Sequence, residues 1–397
     1  MTHGTENRTD VPGGAPNSFD RPPFSAPRSI AVLRALQLGD MLCVIPALRM
    51  LRAAAPHARI TLIGLPWAES FARRFDRYID DYLAFPGFPG LPEQAPVLEA
   101  FPDFISAAQQ RRFDLVLQMH GSGTLTNSLA ALFGAAHNAG FYQSGQYCPD
   151  PQRFLLWDEH EQEILRYVRL MSFLGVAAQG TQLEFPVSDS DYRSLRRCSD
   201  RLPAPGTYAC IHPGARLPSR RWPRRRFAEI ADRLAGSGLH VVLTGAAQEA
   251  DITAEVLRNM RMPALDLAGK TDLGALAALV AGARLVVCND TGISHIAAAV
   301  ATPSVVICSG ADPRRWAPLD GARHRLLFQP VSCRPCMHFS CPLADHPCAQ
   351  EVSADMVWIE AGDLLSGSTI RRVHARHAAP AGVLQQPGVG AGQGREA

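Results

Sequence analysis

A run of apolar residues in the second half of the chain ends in a short polar turn, after which a helical pattern begins. Residues 285–289 are mostly β-branched or apolar, as is typical of a buried parallel strand. Asp290, Thr291 and Gly292 form the turn, and His295 falls in the first turn of the helix. Free N–H groups and the helix dipole make such a turn a candidate anion site, although many α/β proteins contain similar turns.

A second candidate group follows the first apolar strand. Gly39 and Asp40 are expected to lie where that strand ends, at the mouth of a crevice. A carboxylate in this position can accept the proton of an attacking hydroxyl and so act as a general base. The alternative interpretation is that Asp40 caps the next helix.

A third group combines a strand end with many arginines. Pro213-Gly214-Ala215 ends the candidate strand, and Trp222 lies nine positions further along the chain than Pro213. The arginines crowd eleven positions: Arg216, Arg220, Arg221, Arg224, Arg225 and Arg226. Guanidinium groups bind phosphate bidentately and stay charged, which favours a phosphate site over a solvated basic face. Trp222 is expected to pack inside its domain rather than to stack on a base.

Two more strand ends carry polar or glycine-containing turns. Thr244 and Gly245 precede Glu249, which either bonds a ribose hydroxyl or complements a helix dipole. Residues 309–313 form another turn with glycine and aspartate. Because consecutive parallel strands end at one edge of a sheet, these turns together predict a continuous ligand-binding rim.

Four of the ten cysteines lie close together near the C-terminal end. Cys333, Cys336, Cys341 and Cys348 fall within sixteen residues, with the spacing C-x2-C-x4-C-x6-C. They are candidate ligands for zinc or an iron–sulfur cluster, although paired zinc knuckles are spaced differently. Disulfides are the other alternative, and the reducing cytosol opposes them. The remaining cysteines lie mainly in apolar strands and are interpreted as small buried hydrophobes.

The elements that position these residues alternate between strand and helix. In the first half, strands are predicted near residues 28–33, 59–64 and 113–119, each followed by a helix-like segment. Pro46 predicts that a regular helix begins near Ile45 or bends there. The proline-rich residues 85–102 are predicted to form a loop.

The alternation dissolves around residues 184–205 and then starts again, which places a domain boundary there. The sequence therefore predicts an α/β protein with two Rossmann-like parallel-sheet domains facing each other across a crevice. The predicted parts, by residue number, are a disordered leader (1–27), an N-terminal domain (28–190), a C-terminal domain (205–350), a C-terminal helix (351–373) and a disordered tail (374–397).

Composition excludes several classes of protein. The 397 residues are 47% hydrophobic and 19% charged, enough for two cores. Net charge is +2, from 39 basic and 37 acidic residues, so no overall field favours nucleic acid. The sequence contains neither an apolar run of the roughly 18 residues that a membrane span needs nor a secretory signal pattern. We expect cytoplasmic residence, which is compatible with peripheral contact with the inner membrane.

Together these motifs resemble glycosyltransferase family 9, the heptosyltransferases of lipopolysaccharide core assembly, over residues 28 to about 366. The resemblance is carried by five segments in order: Gly39-Asp40 with Pro46 and Leu48, residues 212–215, residues 221–223, Thr244-Gly245 and residues 289–295. It implies a GT-B fold and an inverting, metal-independent transfer from a nucleotide sugar, typically ADP-heptose, with no other cofactor. The implied acceptor is a lipid-linked or oligosaccharide glycan of the cell envelope.

The resemblance also assigns roles to residues. Asp40 would be the general base, and Thr291 and Gly292 would hold the diphosphate. Donor binding would further involve Gly39, Arg220, Glu249, Asp290 and His295. The developing charge on the leaving group requires such fixed donors.

One departure from the family pattern concerns the residue two positions before Trp222. The family usually has a lysine there, whereas this chain has Arg220, which leaves the donor less certain because arginine and lysine are not equivalent. Three readings therefore stay open: a heptosyltransferase-like enzyme, a GT-B transferase or epimerase using another nucleotide sugar, and a catalytically silent scaffold that binds sugar nucleotides.

Overall fold

The computed structural model describes residues 27–367. The predicted tail and the predicted leader other than Pro27 lie outside the described residues, as does the predicted C-terminal helix beyond residue 367. No helix between residues 27 and 367 has both the length and the apolar character needed to cross a membrane.

The first half of the chain forms a six-stranded parallel sheet. In chain order its strands are β1 (Ser29–Leu33), β2 (Arg59–Gly64), β3 (Asp81–Ala84), β4 (Leu115–Gln118), β5 (His137–Tyr142) and β6 (Phe154–Leu156). Their spatial order is β3-β2-β1-β4-β5-β6, with Val32 of β1 opposite Leu62 and Leu117. The central strand β1 is almost wholly buried, as the continuous apolar run predicts.

Seven helices accompany this sheet and the chain that follows it. They are α1 (Leu38–Cys43), α2 (Ile45–Ala54), α3 (Ala68–Arg74), α4 (Phe101–Gln110), α5 (Thr126–Ala131), α6 (Glu163–Phe173) and α7 (Asp189–Cys198). Pro46 stands in the first turn of α2, where its missing N–H has no intrahelical partner to lose. The predicted helix start near Ile45 is thus confirmed.

The second half repeats the same architecture. Its strands are β7 (Tyr208–His212), β8 (His240–Leu243), β9 (Leu265–Asp266), β10 (Leu285–Asn289), β11 (Ser304–Ile307) and β12 (His324–Leu327), in the order β12-β11-β10-β7-β8-β9. Both sheets thus follow the doubly wound order 3-2-1-4-5-6. In that order, ligands bind beyond the carboxyl ends of the central strands where the winding reverses. Those points are β1/β4 in one sheet and β7/β10 in the other.

Seven further helices surround the second sheet. They are α8 (Arg224–Gly236), α9 (Ala250–Asn259), α10 (Leu273–Gly282), α11 (Gly292–Ala299), α12 (Pro313–Trp316), α13 (Pro347–Gln350) and α14 (Ala354–Ser366). Short 3₁₀ turns occupy Leu98–Ala100, Pro218–Arg220 and Ala247–Glu249. The two Rossmann-like domains confirm the predicted α/β fold.

The polar stretch predicted as a domain boundary contains a regular helix, α7. Ser188 and Asp191 form a capping box at its start, and Arg74 donates two hydrogen bonds to the Asp191 carboxylate at 2.7 and 2.8 Å. The helix has few buried side chains, Leu195 and Asp191, which explains its polar sequence. The proline-rich segment likewise ends in a helix, because Phe101 and Pro102 begin α4.

Candidate active site

Helix α1, which follows β1, and helix α11, which follows β10, meet at their N-terminal ends. A Cβ atom placed on Gly39 of α1 would lie 2.9 Å from His295 Cδ2, and one on Gly292 of α11 would lie 3.3 Å from the Leu38 side chain. Glycine at both positions therefore lets the two domains approach closely. Asp40 and Thr291, which flank these glycines, face the same cleft.

Three cavities follow one another along this cleft. The central cavity, of ≈ 440 Å³, is lined by Gly39, Asp40, Asp290, Thr291 and His295, among others. On one side lies a cavity of ≈ 470 Å³ whose lining includes Glu163, here called the Glu163 cavity. On the other side lies a cavity of ≈ 390 Å³ whose lining includes Glu249, here called the Glu249 cavity. Asp40 lines both the central and the Glu163 cavities, so this residue lies where the two meet.

Asp40 lies in the first turn of α1, and a buried arginine binds its backbone carbonyl group. The buried guanidinium of Arg34 donates to the Asp40 carbonyl oxygen through Nε at 3.0 Å and Nη2 at 2.5 Å. Burial raises the pKa of the Asp40 carboxyl, against the opposing positive charge of Arg34. A carboxylate with a raised pKa is a stronger base, which suits proton abstraction near neutral pH.

A buried cluster around Glu163 supports this arrangement and joins the two domains. The Glu163 carboxylate accepts hydrogen bonds from Arg166 at 3.2 Å and from Arg315 of the second domain at 2.8 Å. Arg34 Nη2 lies 3.4 Å from it, and Tyr167 donates its hydroxyl at 3.1 Å. Burial opposes the charge of Glu163, but the arginines outweigh burial and lower its pKa to about 2.

The N-terminus of α11 has the features of an anion site. Thr291 occupies the N-cap position in an extended conformation, but its side chain caps no backbone N–H, and its buried Oγ1 has no hydrogen-bond partner. Burial raises the pKa of Asp290 to about 6, against the opposing charge of Arg220. Burial lowers the pKa of His295 to about 4, so its imidazole is neutral at pH 7. The His295 Nδ1 atom lies 3.7 Å from Cys43 Sγ.

The arginine-rich segment contributes only part of its charge to the cleft. Of the six arginines, Arg216 and Arg220 line the cavities. Arg220 Nη2 donates to the Cys336 carbonyl at 3.4 Å, and its buried Nε has no partner. The other four have no place in the cavity linings: Arg221 and Arg226 donate to backbone carbonyls, Arg224 pairs with Glu255, and Arg225 is exposed. The predicted phosphate site thus reduces to two of the six.

Trp222 packs in the core of the second domain, as predicted. It is 1% exposed, its indole N–H donates to the Val352 carbonyl at 2.8 Å, and its ring meets Phe227 edge-on. Its backbone N–H donates to the Asn289 side chain at 3.0 Å, and the Asn289 amide donates to the Pro213 carbonyl at 2.9 Å. Asn289 therefore ties the end of β10 to the loop after β7.

Glu249 lies at the far end of the cleft. Its Oε2 accepts from the backbone N–H of Ala246 at 2.9 Å. A Cβ atom on Gly214 would lie 2.3 Å from the Glu249 carboxylate, so a glycine is required there. The Glu249 cavity also includes Gly39, Thr291 and Gly292. The turns after β7, β8, β10 and β11 thus all contribute residues to the cavity linings, while ligand binding along this rim stays a prediction.

The structure describes all four clustered cysteines. Between residues 27 and 367, no group of three or more His, Cys, Asp or Glu side chains has the arrangement of metal ligands. All four are free thiols: Cys333 is exposed, Cys341 is partly exposed, and Cys336 and Cys348 are buried. Metal ligation by these four cysteines therefore stays a prediction from the sequence.

Several residues of the cleft escaped the sequence analysis. Glu163, Arg315 and Trp316 line the Glu163 cavity together with His120 and Glu93. Glu163 and Arg315 are 152 positions apart, and nothing in their local sequence marks them as partners. For His120 the only signal was its position at the end of an apolar strand.

Comparison with known proteins shows the family to which the chain belongs. The model of "Glycosyltransferase family 9 (heptosyltransferase)" matches residues 103–346. Lipopolysaccharide heptosyltransferase 2 of Salmonella typhimurium is 26% identical over 303 residues, which cover 73% of this chain and 85% of the relative.

Solved structures share the fold. A glycosyl transferase family 9 protein from Veillonella parvula aligns with a TM-score of 0.72 at 21% identity, covering 86% of this chain and 98% of that one. The E. coli ADP-heptose lipopolysaccharide heptosyltransferase II aligns with a TM-score of 0.68 at 22% identity, covering 85% and 99%. The two-domain architecture is thus the GT-B fold of these structures.

Proposed function

The chain belongs to glycosyltransferase family 9, and we propose that it transfers a heptose from ADP-heptose to a hydroxyl of a lipopolysaccharide-core or related cell-envelope glycan. The names of its relatives support heptose as the sugar and lipopolysaccharide as the acceptor, since they are lipopolysaccharide heptosyltransferases. ADP-heptose is the donor named for the E. coli heptosyltransferase II structure that shares the fold. The observation that carries the proposal is the position of Asp40, where the central and Glu163 cavities meet.

In the proposed mechanism, Asp40 is the general base. An acceptor hydroxyl in the Glu163 cavity gives its proton to the Asp40 carboxylate while its oxygen attacks the anomeric carbon of a donor in the central cavity. The bond between that carbon and the diphosphate breaks, and the configuration inverts because attack and departure occur on opposite faces. The raised pKa of Asp40 supports this role.

The leaving diphosphate would bind at the start of α11. Thr291 and Gly292 would donate to it through the helix N-terminus and the free Thr291 hydroxyl, while Asp290 and His295 shape the pocket. Arg220 lines the same cavity and would neutralise the developing charge. Because the helix dipole and Arg220 supply this positive charge, we propose a metal-independent transfer.

The nucleoside would occupy the Glu249 cavity. Glu249 is fixed by the Ala246 N–H and shares the cavity lining with Gly39, and its other carboxylate oxygen would accept a hydrogen bond from a ribose hydroxyl. Cytoplasmic residence and peripheral contact with the inner membrane stay predictions from the sequence.

A calorimetric titration with ADP, UDP, GDP and CMP tests the donor. We expect ADP to bind most tightly, and ADP-heptose then to support transfer to a lipopolysaccharide-core acceptor. Preference for UDP or GDP would contradict the heptosyl donor while keeping sugar transfer. Binding of none of the four would contradict the proposed activity altogether.

A further inference from the structure

A histidine and a glutamate outside the proposed catalytic set face each other in the Glu163 cavity. His120 follows β4, and Glu93 lies in the loop between β3 and α4. Their Nε2 and Oε2 atoms are 3.6 Å apart, beyond hydrogen-bonding distance, and each is buried without a partner. Buried polar atoms in native proteins are satisfied by some group, so these two atoms point to a ligand.

The surroundings of each residue determine what it offers that ligand. The backbone N–H of Ala35 donates to His120 Nδ1 at 3.2 Å, so a neutral imidazole carries its proton on Nε2 and acts as a donor there. Burial opposes ionisation of Glu93, but the nearby His120, the backbone N–H of Glu93 itself and the charge of Arg216 together outweigh burial and lower the pKa of the carboxyl. Glu93 is therefore an ionised acceptor at neutral pH.

A hydroxyl group fits this pair. An oxygen at about 2.8 Å from both Nε2 and Oε2 closes a triangle over their 3.6 Å separation. A hydroxyl accepts from His120 and donates to Glu93 at the same time, whereas a carboxylate or phosphate oxygen can only accept and is repelled by Glu93.

Charges around the pair also disfavour an anion. Five carboxylates line this cavity: Asp40, Glu93, Glu159, Glu163 and Asp312. Each of the three arginines that line it within the described chain already makes a hydrogen bond: Arg315 to Glu163, Arg216 to the Pro92 carbonyl and Arg220 to the Cys336 carbonyl. Arg216 and Arg220 also line the central cavity, where the diphosphate is proposed to bind.

We infer that His120 and Glu93 bind a hydroxyl of the acceptor, and that the sugar ring beside Asp40 is a neutral one without a carboxylate or phosphate at this position. The inference rests on the proposed function, because it takes the Glu163 cavity as the acceptor site. Both residues are assigned to specificity and not to the chemical step.

The test is a nuclear magnetic resonance titration with small acceptor analogues on protein saturated with ADP. Neutral methyl hexosides and methyl heptosides are compared with methyl uronides, in which a carboxylate replaces the terminal hydroxymethyl group. His120→Asn keeps an acceptor near the Nδ1 position and removes the Nε2 donor, while Glu93→Gln removes the charge with little change in shape. His57→Asn and Glu99→Gln, both exposed, are the matched controls.

We expect wild type and controls to bind neutral glycosides in preference to uronides. Either cleft variant should weaken neutral-glycoside binding by about tenfold, the effect of losing a hydrogen bond to a charged or buried group, with ADP affinity unchanged. Glu93→Gln should also narrow the discrimination against uronides.

Other results overturn the inference. Equal binding of uronides and neutral glycosides, no glycoside binding, or variants that leave neutral-glycoside affinity within twofold of wild type would each contradict it. Parallel loss of ADP and glycoside binding in Glu93→Gln would show that Glu93 only stabilises the conformation of its loop, which contradicts a role in acceptor specificity. Failure of the wild-type protein to bind ADP would instead contradict the proposed function. That failure is measured before any glycoside is added, so it is distinguishable from failure of this inference.

Discussion

Replacing the buried carboxylate of Glu163 by an amide tests the physical basis of the cleft. Glu163 is 1% exposed and faces the guanidinium groups of Arg34, Arg166 and Arg315. Glu163→Gln keeps the shape and one acceptor oxygen but leaves three cations without their shared counter-charge. Because Arg34 also holds the Asp40 backbone, the loss should reach the proposed base as well.

The magnitude follows from the pKa of Glu163. Its pKa falls from the usual 4.5 to about 2. Since each tenfold change in acid dissociation is worth about 1.4 kcal/mol, the ionised carboxylate contributes about 3 kcal/mol to stability at neutral pH. Removing one partner from a buried ion pair costs about 3–5 kcal/mol, in agreement with this figure.

The sign of the pH dependence is also determined. A carboxylate whose pKa is lowered by folding contributes fully above pH 4.5, and that contribution is lost as the pH falls toward about 2. Urea unfolding of wild type and Glu163→Gln should therefore differ by about 3 kcal/mol at pH 7 and by about half as much at pH 3. The surface pair of Glu229 with Arg233 supplies the control, since Glu229→Gln should cost less than about 1 kcal/mol. A difference below about 1 kcal/mol for Glu163→Gln, or one independent of pH, would refute the reasoning.

Two further predictions concern donor binding. Gly214→Ala places a Cβ atom 2.3 Å from the Glu249 carboxylate, so calorimetry should show ADP binding weakened by about tenfold or more. Gly236→Ala is the control, because the space around its Cβ is open. Equal ADP affinity of the two variants would contradict the prediction. ADP affinity should fall as the pH rises through about 6, because ionised Asp290 repels the diphosphate. Asp290→Asn should remove that part of the pH dependence, and comparing the two curves cancels the titration of ADP itself; identical curves would contradict the assignment.

The central strands and their turns could be predicted because their signals are local. The run before Asn289 is apolar throughout since β10 is buried on both faces, and Gly292 follows at once as the helix begins. Pro46 likewise marks a helix start through its own geometry. Such features depend on a few neighbouring residues.

The edge strands β3, β6 and β12, and β5 next to β6, could not be predicted in the same way. All four are partly exposed, so their sequences lack a continuous apolar run. In β12, His324 is buried and its Nδ1 lies 2.9 Å from Ser304 Oγ, a hydrogen-bonded pairing that local sequence does not reveal. For the arginine-rich segment, the sequence predicted too many cleft residues, since composition does not distinguish cleft residues from surface ones.

The Glu163 cluster was invisible for a related reason. Arg34 and Glu163 are 129 positions apart, and a glutamate at the start of a helix normally suggests a dipole effect. Only the folded chain brings these residues close to the backbone of Asp40. Long-range partners of this kind carry no periodicity or spacing that a single sequence can show.

The most direct test of the proposed mechanism is to measure turnover and donor binding in Asp40→Asn. With ADP-heptose as donor, the account predicts that turnover falls by about 10²–10⁴-fold, the usual contribution of a general base, while calorimetric affinity for ADP stays within about twofold of wild type. Turnover within about tenfold of wild type in a folded variant would show that Asp40 is not the base.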